Sequence, residues 1–157
     1  MRHRKLTALA ALAVIFAGAQ PAHAASNLVD GSITAAGAVC SWTNGRTSAN
    51  PPRTLTIDRA SINPPGGNLR CGDGTAVTLN NSPTVTFNDS NATGTADAVD
   101  VSVSLIGITC RYRVSNAVFT RQGTTRDYVG GPYTASRVSG FLCPSTTTID
   151  QARLSFR

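Results

Sequence analysis

An all-β domain, arranged as a two-sheet sandwich of Ig-like or jelly-roll-like type with about eight to ten short strands, is predicted for this 157-residue chain by three observations. Apolar and polar residues alternate with period two along much of the sequence. Turn-forming Gly, Pro, Asn and Asp clusters recur at intervals of roughly ten residues. Beyond residue 24, no segment carries apolar residues at helical spacing.

The N-terminus reads differently from the rest. Arg2, Arg4 and Lys5 precede an uncharged apolar run, Leu6 to Ala19, that is shorter than the roughly 20 residues needed to span a bilayer. Ala22-His23-Ala24 then supplies the small-x-small pattern that signal peptidase pockets accept. A signal peptide over 1–24 is therefore expected, leaving 25–157 as a single secreted, extracellular domain. No cysteine lies near the cleavage point to carry a lipid, and no later run is apolar for long enough to anchor the chain.

Several strands can be read directly. Leu55 and Ile57 alternate with Thr54, Thr56 and Asp58; Val77 and Leu79 alternate with Thr78 and Asn80; Val85 and Phe87 alternate with Thr84 and Thr86. The clearest run is Val99, Val101, Val103 and Leu105, separated by Asp100, Ser102 and Ser104. It resumes after Gly107 as Ile108, Cys110, Tyr112 and Val114, with Thr109, Arg111 and Arg113 on the other face. Gly107 is expected to bend or bulge the strand, or to open a tight turn. Ile149 to Phe156 reads as a last strand, irregular around Gln151 and Ala152. Between these runs, Asn50-Pro51-Pro52, Asn63-Pro64-Pro65-Gly66-Gly67 and Gly130-Gly131-Pro132 fix or invert φ and so end strands.

Four cysteines, Cys40, Cys71, Cys110 and Cys143, suit two disulfides in an exported chain. Zinc is a poor rival, because structural sites draw ligands from closely spaced pairs and these cysteines are far apart. Of three connectivities, Cys40 with Cys71 and Cys110 with Cys143 is favoured by a faint duplication: the two first cysteines, like the two second ones, stand about 70 residues apart. Each bridge would stabilise the fold by roughly 3 to 4 kcal/mol in the chain-entropy model.

Composition narrows the chemistry. Loss of 1–24 removes His3, His23, Met1 and Lys5, leaving 11 Arg (14 basic residues less three) against 8 Asp, a charge near +3. Without imidazole there is no Ser-His-Asp or Cys-His nucleophile and no His-containing zinc site. No enzyme, cofactor or metal is expected. Nucleic acid is also an unlikely partner at so low a charge. The Arg-only basic complement, with abundant Ala, Gly and Thr, suggests a GC-rich bacterial genome.

The remaining candidates each have a plainer reading. Trp42 shares a strand face with Cys40 and packs beside a disulfide or offers a platform for stacking sugars. Arg111 and Arg113 share a face, and Arg121 and Arg126 bracket the polar turn 122–125; together they are the possible binding surface, for cell-envelope polymer or another secreted protein, or simply solvated strand faces and a hairpin tip. Asp73 between two glycines, and Asn88-Asp89-Ser90-Asn91, carry oxygens that Ca²⁺ accepts, without the EF-hand spacing. Asp97 and Asp100 are expected on opposite strand faces, which suits no paired-carboxylate hydrolysis.

Ala96-Asp97-Ala98-Val99 through Thr109-Cys110-Arg111-Tyr112, and the segment Phe119 to Pro144, resemble small secreted actinobacterial proteins of unassigned function. More loosely, the order of signal peptide, Gly/Thr-rich strands and four scattered cysteines is similar to the secreted bacterial activators of alkane oxidation. That resemblance implies a non-enzymatic extracellular accessory protein and carries over no site residues. The subtilisin inhibitors of streptomycetes and the neocarzinostatin-like apoproteins are similar in size and cysteine number, but their disulfide loops are shorter. The expected function is thus an accessory or surface-binding protein. A protease inhibitor or other protein-binding module is the alternative, and a carrier of a small apolar molecule follows. A long exposed loop at 63–68 or 121–126 would mark an inhibitor, two facing Asp carboxylates an enzyme, and an apolar groove a lipid or alkane ligand.

Overall fold

The computed structural model describes residues 26–157; the expected signal peptide, 1–24, lies outside the described residues. Alternation becomes twelve antiparallel strands: β1 (Leu28–Ala35), β2 (Ala38–Arg46), β3 (Leu55–Thr56), β4 (Arg70–Cys71), β5 (Ala76–Leu79), β6 (Thr84–Asn88), β7 (Thr93–Leu105), β8 (Ile108–Arg121), β9 (Asp127–Gly130), β10 (Tyr133–Ser139), β11 (Thr146–Ile149) and β12 (Gln151–Phe156). Hydrogen bonds join them all into one curled sheet, with the order β3-β6-β7-β8-β9-β12-β1-β2-β4 and with β5 and β10-β11 added at β7 and β8. The strand count exceeds the expected eight to ten partly because β3 and β4 are only two residues long. The expected last strand is also divided. At Asp150 the chain leaves the β10 ladder, its N–H donating to Thr34 O, and β12 then pairs with β1.

Two long hairpins, β1–β2 and β7–β8, frame the molecule. Both close in two-residue turns whose central residues have positive φ, Ala36-Gly37 and Ile106-Gly107. These are the twist-compatible turns that need a left-handed backbone, and Gly107 supplies it. The β7–β8 pair Asp97 and Asn116 is missing from an otherwise continuous register, with Asn116 at φ 53°. Here both strands exchange outer neighbours. On one side of the break β7 pairs with β6 and β8 with β9; on the other, β7 pairs with β5 and β8 with β10.

The break divides the interior into two tiers. In the first, Val29, Leu55, Val85, Phe119, Tyr128 and Phe156 are buried. Phe87, Tyr128 and Phe156 meet edge-on or tilted, with centroids 5.1, 5.6 and 5.8 Å apart, the geometry that aromatic quadrupoles favour. A bridge between Thr47 and Ile57 joins the β2 side to the β3 side, completing the curl. Trp42 is 8% exposed, so it is a packed residue, and its ring lies flat on Gly31. A Cβ on Gly31 would stand 2.0 Å from that ring, so only glycine fits there.

Both expected disulfides form, Cys40 with Cys71 and Cys110 with Cys143. Each ties a long hairpin to a neighbour: β2 to β4, and β8 to the loop between β10 and β11. The duplication is sharper in space than in the cysteine spacing. Gly37-Ala38-Val39-Cys40-Ser41-Trp42 and Gly107-Ile108-Thr109-Cys110-Arg111-Tyr112 place the turn glycine, the cysteine and an inward aromatic at the same offsets.

Candidate apolar binding cavity

Inward-facing residues of the second tier are aliphatic but do not fill the space between them. Ile33, Val77, Val99, Val101, Val103 and Cys110 are all only half-buried, although their side chains point inward. They line a cavity of about 570 Å³ that is overwhelmingly apolar. The cause is local. Val and Cys on β5, β7 and β8 are too short to meet across the curl, whereas Phe87, Tyr128 and Phe156 are in contact in the packed tier.

Two polar groups that reach the cavity are engaged within the protein, whereas the buried indole N–H of Trp42, which belongs to the same wall, has no hydrogen-bond partner. Tyr112 donates its hydroxyl to Pro144 O at 3.3 Å, and Tyr133 to Val118 O at 2.5 Å. Burial pushes the Tyr133 phenol up to about 12, and its hydrogen bond with the Gly131 backbone opposes this only in part. Asp73, at the edge, accepts from Thr75 N at 3.0 Å and Thr75 Oγ1 at 2.8 Å. Those two bonds, backbone first, hold its carboxyl below the ordinary value.

Four turns surround the open end: Ala35–Ala38, Gly72–Thr75, Leu105–Ile108 and Gly140–Cys143. Ala35, Ala36, Asp73, Thr75, Leu105 and Ile108 line the cavity together, which fixes three of these turns at one end. The fourth joins them because Gly140 abuts Thr109 and Cys110 and because Cys143 is bonded to Cys110. Neither disulfide is remote from this end, and Cys40 and Cys110 both belong to the cavity wall.

No protein-family model, curated protein or solved structure matches the chain. The residues themselves therefore carry the functional reading.

The four arginines proposed as a surface do not gather into one. Arg111 and Arg113 lie on the outer face of β8 and both grip Asp100 of β7, which is 1% exposed. Arg111 Nε donates to Asp100 Oδ1 at 2.7 Å and Arg113 Nη2 to Oδ2 at 2.8 Å; Asn80 Nδ2 adds a bond to Oδ1 at 2.9 Å. Burial raises the Asp100 pKa, but the bonds from Arg111, Asn80 and Arg113 outweigh it and leave the carboxyl below its usual range. Arg121 sits eight residues further along β8, about 26 Å away at strand rise, beyond the break, and pairs with Asp89 at 3.1 Å. Arg126 belongs to the turn after β8, where its carbonyl accepts from Phe156 N.

The other candidates are likewise accounted for by local bonds. Asn88 caps a short 3₁₀ turn, accepting from Ser90 Oγ and Asn91 N, so its oxygen is occupied. Asp97 accepts from Thr84 N and Ala98 N, apart from the partners of Asp100. Among the described residues there is no cluster of three metal-ligating side chains and no helix long and apolar enough to cross a membrane. The cavity was the feature least visible in the sequence. Its only signal was the Val-rich, aromatic-free run at 99–103, set against Phe87 and Tyr128 elsewhere.

Proposed function

We propose that this chain is an exported, non-enzymatic accessory protein that binds a small apolar molecule, of acyl-chain or hydrocarbon character, inside its curled sheet. One observation carries the reading: a cavity of about 570 Å³ with a predominantly apolar wall, whose two tyrosine hydroxyls already have partners. That volume lies within the range of small-molecule sites, roughly 300 to 1,000 Å³. The charged residues of the wall, Asp73 and Arg153, are exposed, so affinity comes mainly from apolar area. Export follows from the expected cleavage after Ala24 and agrees with the two disulfides.

The inhibitor alternative has less support. Its candidate segment 63–68 is tied down, since Asn63 bonds both Leu79 N and Leu79 O and Leu69 N returns to Ile62 O. The turn 121–126 is short and closed by Gln122 N donating to Asp127 O.

Fluorescence titration of the oxidised protein with a neutral phenylnaphthylamine probe tests the proposal. Saturable binding is expected, and Val101→Phe or Val103→Phe, which put a ring into the cavity, should weaken it at least about tenfold with the β circular dichroism retained. Absence of saturable binding, or equal binding by folded variants, refutes the cavity as the site.

A further inference from the structure

We infer that the open end of the cavity docks on a lipid bilayer. Soluble domains bury their large apolar side chains or scatter them singly, so a cluster at one end requires a cause. Here Ile106 is 94% exposed, Phe141 96% and Leu142 72%, with Leu105 and Ile108 also exposed beside them. The two turns that carry them are adjacent. The Cys110–Cys143 disulfide and the approach of Gly140 to Thr109 hold the loop with Phe141 and Leu142 against the hairpin with Ile106. The hairpin turn adjoins the apolar cavity, whose wall includes Leu105 and Ile108, and the 140–143 turn is tied to it through Cys110 of the same wall.

The surroundings select a membrane over a second copy of the chain. Five side chains on two loop tips, with only Val138 of β10 and Val39 of β2 exposed on the strands nearby, make a narrow patch beside the roughly 800 Å² per partner that a stable dimer buries. Tip backbone is also suited to shallow insertion. Leu105 and Ile108 pair with each other, whereas the peptide groups of Ile106 and Gly107 at the apex are best placed among headgroups, where water can satisfy them. Behind the tips lies a basic belt. Arg111 is three residues from Ile108, about 10 Å along the strand, and Arg70, Arg113 and Arg137 flank it on the same half of the molecule. With Arg153 of the cavity wall, five arginines stand against three aspartates there, Asp73, Asp150 and the buried Asp100, so anionic headgroups are favoured.

Docking of this kind would set the mouth of the cavity against the apolar phase. The surface exists whether or not the cavity holds a ligand, so it goes beyond the proposed function and can fail separately from it.

Flotation of the oxidised chain with vesicles of phosphatidylcholine, with and without phosphatidylglycerol, provides the test. The protein should rise with vesicles containing phosphatidylglycerol, and this added binding should fall with salt. The combined variant Ile106→Ser, Phe141→Ser, Leu142→Ser should lose at least about tenfold in partitioning. Its sites are exposed, so folding should persist, and unchanged probe binding would establish that the cavity is intact. Failure of the native protein to float, equal flotation of the variant, or association of the native protein into dimers that the variant abolishes would overturn the docking surface. Loss of probe binding with flotation retained would instead sink the cavity reading alone.

Discussion

Asp100 shows how one carboxylate can organise a strand pair from the outside. It lies directly opposite Arg113 in the β7–β8 register, and both guanidinium groups close over it. Truncating it removes the shared acceptor of two arginines and of Asn80, so Asp100→Ala should destabilise the oxidised protein by about 3 kcal/mol in urea unfolding. Because the native carboxyl titrates below its ordinary value, its contribution is fully present above the unfolded pKa, near 4. It is lost as the pH falls through the lower native value, so below the unfolded value wild-type stability should drop more steeply than that of the variant. The alternation of Asp100 with Val99 and Val101, and of Arg111 with Cys110 and Tyr112, was legible in the sequence. Their meeting was not, because a bend or bulge at Gly107 would give a different register from a two-residue turn. Cross-strand partners depend on turn length as much as on period.

At the scale of elements, the two hairpins and their disulfides do most to shape the mouth. Removing one bridge by Cys110→Ser with Cys143→Ser should lower stability by about 3 kcal/mol, measured by urea unfolding, because the closed chain loop then gains entropy when unfolded. The same pair of changes should speed proteolysis in 140–143, whose seat against Thr109 and Cys110 the bridge secures. Cysteine spacing was sufficient to favour the correct pairing. The break at Asp97 and Asn116 left no comparable mark, since both residues are ordinary polar members of a strand. It becomes visible only when β5 and β6, or β9 and β10, are seen to succeed one another along a shared neighbour.

For the molecule as a whole, period-two alternation identifies which residues face inward but not what covers them. A second sheet and the same sheet curling back satisfy the pattern equally, which is why the β character could be read from the sequence and the single continuous ladder could not. The interior is also uneven. Aromatic packing around Tyr128 and Phe156 contrasts with the half-filled space around Val101 and Val103. Amide exchange should reflect this, with β9, β12 and the adjoining part of β8 opening only on global unfolding, and with the β7–β8 turn and 140–143 exchanging through local openings. Uniform protection across the two tiers would contradict that division. The placement of both bridges beside the open end gives the container a history as well as a shape. While its thiols are reduced, β4 is held to β2 by only two residue pairs and the 140–143 turn lacks its covalent tie. The rim therefore owes its covalent closure to oxidation, and a reducing medium would leave the vessel with a loosened lip.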